Sequence, residues 1–376
     1  MSDEVKNGSR TLPVIDCDIH PNPVRKRDLL PYLDDYWRDY MIASKFRGHL
    51  PTVDFTIPVN GGLRADSKTP GGGPACSSVD FFKEQVMDEF NYSHAILFTD
   101  GTFFISGAPQ REMATALAPA YNDWLIEHWL EKDPRLFGTV LIAAQDPEAA
   151  AREIDRLGSH PQMVQVGLGI HAPYGGWGDP RYHPIWEAAV RNDLVVTFHV
   201  TVGPTGLFKS GPIGPPRYFV ETQSTHSLTY QAQMANMVFA GVFEKYPDLK
   251  VAFIEAGFAW VPGLMYMLDT QWRAVRREVP WVKRPPSEYI KEHFWFGTQP
   301  MIEPETKDSK HLEQLIDMVG SDRLLFASDY PHWEFDSPIG ALKGLRKDTR
   351  DKIKYYNSKK LFKLPDSVNL VSSQGD

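Results

Sequence analysis

Residues 14–20 read VIDCDIH, an apolar run in which Asp16, Asp18 and His20 alternate with Ile15, Cys17 and Ile19. Alternation of this kind is the pattern of a β-strand, and it predicts that Asp16, Asp18 and His20 share one side. A strand ending in Asp-x-His offers two metal-ligand types. Taken alone such residues are more often caps or hydrogen-bonded core groups, so the rest of the chain has to decide. Further apolar, β-branched runs fall at 94–99, 137–143, 163–169, 194–200, 251–256, 294–298 and 324–330. With the first they make eight, the number that closes a parallel (β/α)8 TIM barrel, an α/β fold.

The segments between these runs carry helical spacing. Pro147 opens PEAAAREIDRLG and Gly158 closes it, while Pro180 opens PRYHPIWEAAV. Similar apolar faces are expected at 115–132, 228–246, 262–275, 311–319 and 351–362. Alternation of strand and helix predicts a parallel sheet covered by helices. Three stretches interrupt the rhythm: 46–75 with its PGGGP run, 203–225 and 301–309. They are long for barrel connections and are expected to cover the C-terminal face, where barrel sites are built. The expected division is one barrel domain over 14–364, carrying insertions at 46–75 and 203–225, between tails at 1–13 and 365–376.

With 376 residues, 42% apolar and 23% charged, the chain has the make-up of a globular protein with a large core. The net charge is −8, and its basic residues are scattered, which argues against nucleic acid or an anionic membrane as partner. A small-molecule substrate fits better. No apolar run approaches the roughly 20 residues of a membrane span, and the opening MSDEVKNGSR has no signal-like apolar core, so a cytoplasmic protein is expected. Cys17 and Cys76 are too few for a disulfide framework and are expected to be reduced.

Chemistry is suggested by what stands at the ends of the runs. The first, fifth, sixth and eighth end in metal-ligand types, and in a barrel those ends meet on one face. His199 lies in the otherwise apolar LVVTFHV, where a neutral imidazole can give one nitrogen to a metal and anchor the other. Asp329 follows the eighth run in LLFASDYPHW, just before Pro331; it could bind metal, take a proton from bound water, or both. Ligand types at one end of three strands form a constellation that single residues do not. His226 precedes a helix in STHSLTYQAQ and is a candidate second-metal ligand or general acid. His171 and Asp100 are expected to line the site, and His332 and Trp333 to shape its wall. Arg64, Lys209 and Arg217 lie on the long stretches and could clamp a substrate carboxylate, although such residues are more often solvated. No dinucleotide fingerprint, G-x-S-x-G elbow, P-loop or H-E-x-x-H is found.

Together VIDCDIHP, YHPIWEAAVRNDLVVTFHV, FEKYPDLKVAFIEAGFAWVP, DRLLFASDYPH and YYNSKKLF resemble the amidohydrolase superfamily. The likeness is to the amidohydrolase-related group that includes aminocarboxymuconate semialdehyde and γ-resorcylate decarboxylases. The resemblance implies a metal-dependent hydrolase-type barrel in which Asp18 and His20 stand where the group has His-x-His or Glu-x-His. It makes His199 the strand-five ligand and Asp329 the strand-eight carboxylate. Glu255, in FIEAG, replaces a frequent His at strand six, and MVQVGLG lacks the lysine that bridges two metals in some relatives. One or two divalent ions, zinc or iron and manganese, are thereby implied. Hydrolysis or non-oxidative decarboxylation of a small carboxylate or amide is the expected activity. A smaller subgroup shares D-x-D-I-H-P and PYL-x-x-x-W, namely the amidohydrolase-like subunits of 2-aminoisobutyric acid hydroxylase. That likeness implies an alternative, a dinuclear Fe/Mn oxygen-dependent hydroxylase (monooxygenase) working with a paralogous subunit and a redox partner. Either way a homo-oligomer or a heteromer is expected.

Overall fold

The computed structural model describes residues 12–45, 62–201, 217–301 and 310–366. Eight parallel strands follow one another in chain order: β1 (Val14–Ile19), β2 (Tyr92–Leu97), β3 (Leu136–Leu141), β4 (Met163–Gly169), β5 (Val195–His199), β6 (Val251–Phe253), β7 (Phe294–Gly297) and β8 (Leu324–Leu325). β8 returns to β1 through a parallel bridge between Ile19 and Tyr330. Two backbone bonds hold the seam, Cys17 N–H to the Phe326 carbonyl at 3.0 Å and His20 N–H to the Tyr330 carbonyl at 2.8 Å. The eight expected runs are therefore the eight staves of the barrel.

The strands that stop furthest short of their apolar runs are β6 and β8. The β6 ladder ends at Phe253 and the β8 ladder at Leu325, and beyond them Glu255 and Asp329 adopt left-handed backbone with φ of 56° and 61°. Such values are uncommon for residues other than glycine and turn the chain out of the sheet. Both outliers are carboxylates at the barrel mouth, where strain is retained for a site.

Helices fill the connections. Pro147–Leu157 starts where expected, its first turn capped by the Asp146 side chain accepting Ala149 N–H at 3.1 Å. The stretch expected as one helix over 228–246 is two, Ser227–Phe239 and Val242–Lys245, parted at Gly241. Gly241 has φ 77°, a conformation that costs glycine little. The last expected helix is also broken, into Lys347–Asp351, a π-helical turn and Asn357–Leu361.

One core packs the outer faces of the strands against the helices through Trp177, Trp186, Phe198, Tyr230 and Phe253. Each such burial contributes roughly 1.5–3 kcal/mol. A second cluster gathers Ile15, Ile96, Phe137, Val195, Ala252 and Leu325 with Leu361, Phe362 and Leu364 of the C-terminal segment. Cys17 and Cys76 are free and buried.

The returning limb of the first long stretch forms a wall of the barrel mouth. Leu63 bridges His332 antiparallel, Arg64 N–H donates to the Pro331 carbonyl at 3.0 Å, and Trp333 N–H donates to the Gly62 carbonyl at 3.1 Å. Residues 46–61, 202–216 with Lys209, 302–309 and the tails at 1–11 and 367–376 lie outside the described residues. Among the described residues no helix is long and apolar enough to cross a membrane.

Candidate metal centre at the barrel mouth

Asp18 and His20 end β1, His199 ends β5, Glu255 lies just past β6 and Asp329 just past β8. His20 donates its Nδ1–H to the Phe98 carbonyl at 2.9 Å, which fixes the ring and turns Nε2 inward. That nitrogen stands 3.3 Å from Asp18 Oδ1 and 3.1 Å from Asp329 Oδ1. His199 is set in the same way, its Nδ1 2.9 Å from the Val200 carbonyl. Its Nε2 is 3.5 Å from Asp18 Oδ1 and 3.1 Å from Glu255 Oε2. The structure thus brings together all five residues that the sequence nominated as ligands.

All five are buried, and several of their polar atoms are left with ionic contacts alone. Both Asp18 oxygens, His20 Nε2 and Glu255 Oε2 are enclosed without a hydrogen-bond partner. Stranded acceptors on this scale are costly unless something else satisfies them. Two overlapping groups have converging ligand atoms, Asp18–His20–His199 and His20–Asp329–His332, each within 4.8 Å. Imidazole nitrogen with carboxylate oxygen is a donor set for divalent transition ions. The residues fit a divalent cation.

The proton inventory agrees. Burial alone would raise the Asp18 carboxyl, but the imidazoles of His20 and His199 hold it well below the usual range. Burial would lower His20, yet Asp18 and Asp329 push it well above its ordinary value. Burial raises Glu255 strongly, with the charges of Asp329 and Asp18 adding to it. Against burial, His332 and His20 keep Asp329 low, and Asp329 in turn keeps His332 high. Protons on His20, His332 and Glu255 thus balance the crowded carboxylates, and a cation would displace some of them.

Other nominated residues vary. His332 contacts the cluster directly, Nδ1 2.5 Å from Asp329 Oδ1 and its ring 4.9 Å from that of His20. His226 is buried beside the Glu255 backbone, and burial lowers its pKa. Asp100 lines the site, Oδ1 3.8 Å from His20 Nδ1, and accepts from Asn22 Nδ2 at 2.5 Å. His171 borders a separate small cavity with Ser106, Gln145 and Trp177. Arg64 is committed to the wall: Nη2 meets Asp66 Oδ2 at 2.7 Å and the guanidinium lies 4.2 Å from the Phe335 ring centroid. Arg217 is exposed, its guanidinium against Tyr218, and is not brought to the cluster.

Asp16 does not join Asp18 and His20 on the cluster, because the register between β1 and β2 shifts between Asp16 and Ile19. Gln299 went unnominated, yet its Nε2 donates to Asp329 Oδ2 at 3.1 Å. The signal was present: Gln299 is the first polar amide past the seventh run. Glu334 was also missed; burial, with the Asp329 charge, pushes its carboxyl up to about 7.

A family model described as amidohydrolase matches residues 15–364. The chain belongs to the amidohydrolase family. γ-Resorcylate decarboxylase of Rhodococcus jostii is 27% identical over 265 residues, 66% of this chain and 75% of the relative. Two solved structures share the fold. 5-Carboxyvanillate decarboxylase of Sphingomonas paucimobilis superposes with a TM-score of 0.69 at 19% identity, covering 94% of this chain and all of the other. Dihydroxybenzoic acid decarboxylase of Polaromonas sp. JS666, with bound manganese and the inhibitor 2-nitroresorcinol, gives 0.64 at 18% identity over 94% and 98%. This amidohydrolase-family protein is a metal-dependent enzyme of the hydrolase or decarboxylase type.

Proposed function

We propose that this amidohydrolase-family enzyme removes CO2, without an oxidant, from a small hydroxylated aromatic carboxylate. A single divalent cation, manganese or zinc, would be held by Asp18, His20, His199 and Asp329, with Glu255 beside it. When bound, such a cation supplies charge neutralisation and chelation of substrate oxygens. The decarboxylase names of the relatives support the reaction class, and so does the state of Asp329.

Asp329 is the observation that carries the reading. Its Oδ1 is shared by His20 Nε2 at 3.1 Å and His332 Nδ1 at 2.5 Å, and its Oδ2 accepts from Gln299 at 3.1 Å. His332, which lies outside the proposed ligand set, is pushed up toward the protonated state by Asp329 against the effect of burial. A carboxylate with a protonated imidazole behind it is set up to relay a proton to the substrate. As the ring–carboxyl bond breaks, its electron pair stays on the ring carbon and CO2 departs. The proton that takes the place of CO2 on that carbon comes from His332 through Asp329, and His332 takes up another from solvent. His226 and Glu255 border the same space and would exclude water from it.

The test is CO2 release from γ-resorcylate and from 5-carboxyvanillate by manganese-loaded enzyme in D2O. One deuterium per product, on the carbon that lost CO2, is expected. If neither probe loses CO2 while an amide panel is hydrolysed, the hydrolase reading replaces this one.

A second reading has its own observation. Asp18, Glu255 and Asp329 set three carboxylates among His20, His199 and His332, an arrangement whose carboxylates could bridge two iron or manganese ions. Two ions per chain, with oxygen consumption in the presence of an electron donor and a related barrel subunit, would favour the oxygen-dependent hydroxylase.

A further inference from the structure

The seam between β1 and the β8 segment is out of step. From Cys17 to His20 the first strand advances three residues, while its partner advances four, from Phe326 to Tyr330. In a regular parallel ladder the two counts are equal. The mismatch falls where β1 also slips against β2, between Asp16 and Ile19, and it faces the left-handed backbone of Asp329. Such mismatches leave backbone N–H groups without ladder partners. Here those of Asp18 and Ser328 both turn to one atom, Asp16 Oδ1, at 3.0 and 3.1 Å. Asp16 Oδ2 is fixed in turn by the Tyr92 hydroxyl at 2.7 Å, and the whole carboxyl group is buried.

We infer that Asp16 is a positioning residue that pins the mismatched seam and so makes Asp18 and Asp329 converge on His20 Nε2. The inference rests on the metal-site reading above. Without the Oδ1 acceptor the two N–H groups lie orphaned in a dry seam, and the backbone of either ligand must shift to find a partner. An asparagine keeps that acceptor, and its amide can still donate to the Tyr92 oxygen. An alanine keeps neither.

The full chain and its Asp16→Asn, Asp16→Ala and Tyr92→Phe variants are titrated with Mn2+ against a competing chelator. Far-UV circular dichroism and thermal melting monitor the fold. Asp16→Asn should bind Mn2+ almost as tightly as the parent, whereas Asp16→Ala should lose about 10–100-fold in affinity, as removal of an outer-shell support does. Tyr92→Phe leaves the acceptor in place but frees the carboxyl to rotate, and should bind measurably more weakly. A folded Asp16→Ala variant with parental Mn2+ affinity overturns the proposal, and so does an asparagine variant as weak as alanine. Should alanine not fold, unchanged affinity in Tyr92→Phe overturns it. A parent chain that binds no Mn2+ sinks the metal-site reading itself, which separates the two failures.

Discussion

His332 Nδ1 stands 2.5 Å from Asp329 Oδ1, and the same oxygen lies 3.1 Å from His20 Nε2. One carboxylate oxygen thus joins a residue of the β1 end to a residue of the wall. Asp329→Asn keeps the shape and the Gln299 contact but cannot carry the proton. Turnover of γ-resorcylate should fall about 10²–10⁴-fold, with circular dichroism unchanged. Near-parental kcat would remove Asp329 from the proton path.

His199→Ala deletes a proposed ligand whose nitrogen faces both Asp18 and Glu255. Elemental analysis of protein purified without added metal should show about one divalent ion per parent chain and far less in the variant. Equal metal content in the two proteins would mean that His199 is no ligand.

Arg64 reads as structural in this geometry, bonded to Asp66 and stacked on Phe335. Arg64→Met should cost roughly 1 kcal/mol of stability, seen as a lowered melting temperature, and leave KM near its parental value. A tenfold rise in KM, worth about 1.4 kcal/mol of binding, would instead show that the guanidinium turns to the substrate.

His94, at the start of β2, packs its ring 5.4 Å from that of Phe137. Burial, with Lys359 and Arg135 adding, brings its pKa down to about 4. The folded value lies below the unfolded one, so the unfolded chain takes up the proton first. The contribution to stability is whole above about pH 6.5 and is lost as pH falls toward 4. Melting curves from pH 7 to pH 4 should therefore drop less steeply for His94→Phe than for the parent. Parallel curves would assign the acid sensitivity to other groups.

The eight apolar runs were legible because strand periodicity is local and repeats. Asp18, His20, His199 and Asp329 were legible because each ends such a run. Gln299 and the Asp16 contacts were not, since each depends on a residue distant in the chain: Gln299 reaches Asp329, and Asp16 reaches Tyr92 and Ser328.

By itself, then, the sequence determined the parallel barrel and which strand ends carry the candidate ligands, because hydrophobic alternation and chain order are properties of short segments. Only the tertiary structure decided which carboxylates converge. β1 slips in register against β2 between Asp16 and Ile19, and Asp329 turns left-handed where the β8 segment meets it. That slip leaves Asp16 in the seam while Asp18 faces the candidate cation site, and no pattern within VIDCDIH could tell those two aspartates apart.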